Sequence, residues 1–298
     1  MTSPEPTAEP APTGPAHIFD GDCSALASVE ELGAELGVPV SSSAIPWRFE
    51  AGYAAIPQSG GIYCLWESGP GEDPDAVWVT AVVLPTRSVM EAVVHPNACE
   101  GNYCDFGATA GGFELYASVA GPTDPSSLAT ALTARFSATI AQEPVPALYA
   151  PAGVWPAGVA CETLDPDRTI GATLREPSTT GYQLGSDSEG NFGYYVAFRS
   201  SGLSHCVWSS DTPESTPSVE IDILPGGAWL YDDIAASVGA AAVSVPGFDR
   251  ALRVGDTLYG FSGENRIAAT LDPNGSAVPI DALYPAIAAM ALDLDSRR

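Results

Sequence analysis

Two stretches of the chain, "AAIPQSGGIYCLW" ending at Trp66 and "VAFRSSGLSHCVW" ending at Trp208, fit one frame, A-x3-S-G-x3-C-x-W. A frame written twice constrains the fold strongly, because a repeated unit must bury a repeated core. On a strand, residues i and i+2 face the same way. Cys64 therefore shares a face with Trp66, and Cys206 with Trp208.

The repeat extends in both directions. Upstream, "CSALASVEELGAELG" starts at Cys23 and "CETLDPDRTIGATL" at Cys161. Each is a cysteine followed by a short amphipathic helix pattern. Ser28 and Glu31 form a capping box, with Val29, Leu32 and Leu36 on one face. In the second stretch Asp165 can cap and Pro166 suits the first helical position. Downstream, "VTAVVLP" ends at Pro85 and "VEIDILP" at Pro225, β-branched runs that stop at a proline as strands do. A helix candidate follows each, "TRSVMEAVV" and "GGAWLYDDIAASVG", and then "FELYASVAG" and "RIAATLDPNG". Each half closes with a longer helix. Leu128, Leu132, Phe136 and Ile140 share a face in one, and Ile280, Leu283, Ile287 and Met290 in the other.

Each half reads helix, two strands, helix, two or so strands, helix. The fold expected is α+β: two tandem homologous modules, each an antiparallel sheet with helices on one face and an internal disulfide. The divisions are a disordered N-terminal tether over 1–18, a first module over 19–148 and a second over 149–298. The linker "AQEPVPALYAPAGVWPAG" carries Tyr149 and Trp155, which argues that it packs and that the halves touch.

The repeat predicts the bridges Cys23–Cys64 and Cys161–Cys206, each pinning a first helix to a central strand beside a buried indole, Trp66 or Trp208. Closing such a loop stabilises by about 4 kcal/mol in the chain-entropy model. Cys99 and Cys104 in "CEGNYC" would clip a local loop, for about 2 kcal/mol. His95, Cys99 and Cys104 could instead ligate zinc, but a structural site needs a fourth ligand and an oxidising compartment favours the disulfide.

Charge excludes several function classes. The chain of 298 residues holds 37 acidic residues against 11 basic ones, a net charge of −26, and every basic residue is arginine. Such a surface repels nucleic-acid phosphates and anionic headgroups. Without lysine there is no Walker A loop, pyridoxal Schiff base, S-x-x-K hydrolase or kinase core. The opening "MTSPEPTAEPAPTGPA" has no hydrophobic pattern and reads as a tether. It is expected to follow a removed signal peptide, with Met1 standing where a lipoprotein has its acylated cysteine.

A cysteine before a short helix, C-x-W on a strand and a following V-x-V-x-L strand resemble a domain common in actinobacterial surface lipoproteins. They are also similar to the extracellular sensor domain of mycobacterial receptor kinases. The resemblance implies secreted α+β modules with disulfides, some binding ligands in a groove, and supplies no catalytic residues. The chain departs from it in holding two copies, in Cys99–Cys104 and in lacking lysine.

Few constellations suggest chemistry. His17 lies in the tether, His95 precedes Pro96, and His205 points away from the Cys206 face. No G-x-S-x-G elbow supports a triad. The acidic loops "FDGDCS", "GEDPDA", "DPDR" and "GSDSEGN" match no EF-hand and read as solvated turns. Trp47, Tyr53, Tyr103, Tyr194, Tyr195 and Tyr231 could line a groove. No catalytic, cofactor-binding or metal-ligating residue is assigned. The expected function is non-catalytic ligand binding, sensing or an accessory role at a cell surface. The expected partner is a small molecule, a cell-wall component or a protein, not a nucleic acid. The membrane is met only through an N-terminal lipid anchor, and the chain is a monomer. The alternatives are an extracellular hydrolase with a carboxylate-based site and a purely structural interaction module.

Overall fold

The computed structural model describes residues 14–42, 51–69, 76–89, 97–121, 124–165, 167–175, 180–183, 192–209, 218–272 and 278–298. The chain begins with helices α1 (Cys23–Leu26) and α2 (Val29–Leu36), strand β1 (Ser41–Ser42) and helix α3 (Ala51–Gln58). Strands β2 (Ile62–Glu67), β3 (Trp78–Pro85), β4 (Ala98–Glu100), β5 (Tyr103–Ala110) and β6 (Phe113–Ala120) follow, then helix α4 (Pro125–Ile140). The later part holds α5 (Thr169–Leu174), β7 (Thr180–Gln183), α6 (Phe192–Ser200), β8 (Ser204–Ser209), β9 (Val219–Leu224) and α7 (Tyr231–Ala235). It ends with β10 (Ala241–Val243), β11 (Arg250–Val254), β12 (Thr257–Ser262), β13 (Asn265–Leu271) and α8 (Tyr284–Ser296).

The fold is α+β, with two antiparallel sheets. One has the order β1-β2-β3-β6-β5-β4; the other, read from β7, runs β7-β8-β9-β13-β12-β11-β10. The orders match strand for strand until β10, which has no counterpart among the described residues of the first sheet. Three disulfides are formed: Cys23–Cys64, Cys161–Cys206 and Cys99–Cys104. No helix of the described residues is long and apolar enough to cross a membrane.

Three apolar clusters explain the layering. One joins α1, α2 and α4 to the first sheet through Leu32, Cys64, Trp66, Val79, Leu115 and Phe136. A second joins α5 and α8 to the second sheet through Ile170, Cys206, Trp208, Ile221, Ile267 and Ile287. The third draws on both sheets at once, with Val82, Leu84 and Tyr116 from the first and Leu224, Leu252 and Phe261 from the second. Helices α3 and α6 lie in this third cluster and pack against each other, α3 also on β2 and β9, and α6 on β3 and β6. Helices therefore cover both faces of each sheet, where the sequence led us to expect one. Nearly every residue of β3 and β6 is buried, which an antiparallel sheet requires once neither face meets water.

The repeated frame turns out to be a helix end followed by a strand. Ser59 donates from both its N–H (3.0 Å) and its Oγ (2.8 Å) to the carbonyl of Ala55, and Ser201 N–H donates to Ala197 O at 2.9 Å. Gly60 (φ 83°) and Gly202 (φ 71°) then make the left-handed turn that L side chains avoid, and β2 and β8 start two residues later. The frame's alanine thus lies buried in the inner cluster, its serine closes the helix, its glycine turns the chain and its cysteine and tryptophan enter the outer core.

Local signals carry over elsewhere. The Ser28–Glu31 capping box is made, and Asp165 Oδ1 accepts from Thr169 N–H at 2.8 Å at the start of α5, though Pro166 lies outside the described residues. The "TRSVMEAVV" stretch begins with a 3-10 turn over Thr86–Ser88 capped by Val89, and residues 90–94 lie outside the described residues. The linker packs, as its aromatic residues implied, and so does a segment that the sequence left loose. Trp155 of the linker is buried, with its backbone N–H on Asn265 Oδ1 (2.8 Å) and its indole N–H on Asp295 Oδ1 (2.6 Å). Residues 14–18, placed in the tether by the sequence, also pack. Ile18 is buried and its N–H donates to Gly60 O (3.1 Å), while Gly14 lies against the Trp229 ring.

Candidate functional site

The strand registers let the two sheets be compared position by position. Cys64 pairs with Ala81, Ala81 with Ala117 and Ala117 with Phe106; in the same places the second sheet has Cys206, Ile221, Ala269 and Leu258. All eight point into the outer clusters, and all are apolar. One residue to either side along each strand lies the inner face, turned toward the other sheet. There the equivalent positions differ: Tyr63 against His205, Val82 against Asp222, Tyr116 against Ala268, Gly107 against Tyr259, Glu114 against Arg266, and Asp105 with Ser118 against Thr257 with Thr270.

At one end of the first inner face, Trp78 and Tyr103 flank Ala120 in register. The small side chain between them lets the rings lean together, centroids 5.7 Å apart and tilted by 55°. Tyr103 Oη and Ser118 Oγ both donate to Asp105 Oδ1, the serine at 2.6 Å, and Tyr103 Oη lies 3.2 Å from Ser118 Oγ. Burial pushes the Tyr103 phenol up to about 12, and the neighbouring Asp105 adds to this, so the hydroxyl stays a donor. Glu67, beside Trp78 in register, is half-buried, as are Trp78, Tyr103 and Asp105. At the other end Glu114 accepts from Thr109 Oγ1 at 2.8 Å and Thr86 Oγ1 at 3.3 Å.

The second inner face carries charge instead. His205 Nδ1 meets Asp222 Oδ1, and the fully buried Arg266 lies in the field of the same carboxylate, its guanidinium carbon 5.9 Å from the centre of the Tyr259 ring. Burial lowers the Arg266 pKa, and Asp222 and Tyr259 oppose that effect. Phe198 of α6 stands edge-on to the His205 ring at 6.4 Å. Where Asp105 and Ser118 stand in the first sheet, Thr257 and Thr270 bond to each other at 3.1 Å.

One joint ties the halves. Gln58, the last residue of α3, donates to Pro225 O at 2.6 Å and accepts from the Trp229 indole N–H at 3.3 Å. His17 lies 6.3 Å from the Trp229 ring, and burial holds its pKa below the ordinary histidine value.

The six cysteines and Trp66 and Trp208, singled out from the sequence, lie in the bridges and outer clusters except for Cys99, whose bridge clips the β4–β5 turn. Of the aromatic candidates, Tyr103 joins the Asp105 group, Tyr53 meets Tyr63 edge-on at 5.1 Å, and Tyr231 carries the Arg250 guanidinium at 3.9 Å. His95, Trp47, the "GSDSEGN" loop and the side chains of Tyr194 and Tyr195 lie outside the described residues. Among the described residues no group of three histidine, cysteine or carboxylate side chains could hold a metal ion. Trp78, Asp105, Asp222 and Arg266 were missed. The alternation of Tyr103-Cys104-Asp105 would have placed Asp105 opposite the cysteine face, but only the register brings it to Ser118 and Trp78. Comparison with known protein families, with curated proteins and with solved structures finds no match to this chain.

Proposed function

We propose that the chain is a secreted, lipid-anchored cell-surface protein of actinobacterial type, built of two modules duplicated in tandem, which binds a ligand without transforming it. The duplication reading is supported by the matching strand orders and by the equivalent bridges Cys23–Cys64 and Cys161–Cys206. The extracellular reading is supported by three disulfides, which persist in oxidising compartments. The observation that carries the binding function is the contrast between the faces. Equivalent outer positions keep apolar packing groups, while inner ones differ in chemistry and present the half-exposed Trp78–Tyr103–Asp105 group. Sites of this kind pair aromatic walls with a few placed polar groups.

A thermal-shift screen of the oxidised protein against small metabolites and soluble cell-wall fragments tests this. At least one class should raise Tm by a few degrees at concentrations far above its Kd, and Trp78→Ala should abolish that rise. A uniformly flat screen would count against binding. One observation favours a second reading, a hydrolase: the His205–Asp222 contact is the base-and-orienter half of a catalytic triad. Turnover of p-nitrophenyl esters that His205→Gln abolishes would favour it.

A further inference from the structure

We propose that the Trp78–Tyr103–Asp105–Glu67 group binds the ammonium group of a small organic cation. The inference rests on the ligand-binding reading and names the ligand's chemistry.

The argument begins with the charges. Glu67 and Asp105 stand on either side of the two rings: Glu67 pairs in register with Trp78, and Asp105 is two residues along β5 from Tyr103, on the same face. Neither carboxylate meets a cation among the described residues, whereas the Glu31 and Glu35 carboxylates are met by Arg135. Among the described residues the Asp105 hydrogen bonds converge on Oδ1, from Tyr103 and Ser118. They fix the carboxylate's orientation and leave Oδ2 for an outside partner. The chain has no lysine, so no lysine ammonium of its own can take that place.

The rings give the site its preference for an organic cation over a bare metal ion. The face of an indole or phenol ring attracts a soft, weakly hydrated ammonium, most strongly where water is partly excluded. Trp78 and Tyr103 are half-buried and in mutual contact, so they form a continuous π surface between the two carboxylates. A neutral ligand would fit the rings but would leave the carboxylates unanswered. The net charge of −26 draws cations toward the surface as a whole. The second sheet lacks the arrangement, because Thr257 and Thr270 occupy the Asp105 and Ser118 positions and satisfy each other.

Isothermal titration of the oxidised protein with choline, with n-butylammonium and with the neutral choline isostere 3,3-dimethyl-1-butanol tests the proposal. All three are run at one ionic strength, with sodium chloride as the blank. Choline or butylammonium should bind at least tenfold more tightly than the neutral isostere, and the stronger of the two shows whether the site takes a quaternary or a primary ammonium. Asp105→Asn should weaken the ammonium at least tenfold while leaving the isostere unchanged. Because Asp105→Asn could disturb the Tyr103 and Ser118 bonds, Glu67→Gln, which touches neither, should weaken the ammonium severalfold by itself. If the isostere binds as tightly as choline, ligand binding stands and the ammonium inference falls. If no probe binds, or if both variants bind ammonium like the parent, the inference falls and the ligand screen alone judges the broader reading.

Discussion

The outer and inner faces of the two sheets have been held to different standards. On the outer side Val79, Ala81 and Val83 are matched by Val219, Ile221 and Ile223, and Leu115, Ala117 and Val119 by Ile267, Ala269 and Leu271. On the inner side, one residue away, Val82 is matched by Asp222 and Glu114 by Arg266. The outer faces each pack against their own helices, so each half must repeat the same solution. The inner faces pack against one another around α3 and α6. They need to fit each other and not to repeat each other, which frees them to differ in chemistry.

The largest expected effects lie on the outer side and should be alike in the two halves. Trp66→Ala and Trp208→Ala should each lower stability by about 3–5 kcal/mol in urea unfolding, the usual loss for a buried indole. Both residues are buried, Trp66 stacked on Phe136 and Trp208 pressed against Gly181. A loss under about 1 kcal/mol at one of them would break the equivalence. Removing both cysteines of Cys23–Cys64, or both of Cys161–Cys206, should cost about 4 kcal/mol in either half. A large inequality between these bridges would show that one half dominates the folding of the other.

On the inner side the two halves should respond unequally. Asp222→Asn leaves the buried Arg266 without its carboxylate and should cost about 3 kcal/mol. Glu114→Gln, in the place equivalent to Arg266, keeps hydrogen-bonding oxygen for Thr86 and Thr109 and should cost about 1 kcal/mol. Equal losses would mean that the inner faces are as uniform as the outer ones.

The smallest effect belongs to the joint between the halves. Burial lowers the folded-state pKa of His17, against the pull of the Pro57 carbonyl and Asp20, so the unfolded chain binds the proton more readily. The stability it contributes is whole above the ordinary histidine value of about 6.5 and declines as pH falls through that value. The urea midpoint should therefore fall more steeply between about pH 7 and 5.5 in the parent than in His17→Phe. Identical slopes would show that His17 stays solvated and that the N-terminal segment does not brace the joint.

Much of the outer architecture was legible because its signals are local. The Cys23 and Cys161 helices, the Ser28 capping box and the strands ending at Pro85 and Pro225 each follow from residues a few positions apart. Helices α3 and α6 were not legible. "AGYAAIPQ" is apolar on all sides and carries Pro57 within it, so it has neither an amphipathic stripe nor an uninterrupted helix pattern. Its composition makes sense only once it lies between two sheets.

The sequence by itself determined which residues repeat, and therefore which cysteines bridge and which indoles lie beside them, because a repeated pattern must use its packing groups twice. Only the tertiary structure decided what the strands' other faces meet. Register across four strands brings Trp78, Tyr103, Asp105 and Glu67 onto one surface, and the packing of the two sheets encloses His205, Asp222 and Arg266. Those neighbours are distant along the chain, and no spacing in the sequence encodes which sheet will stand opposite.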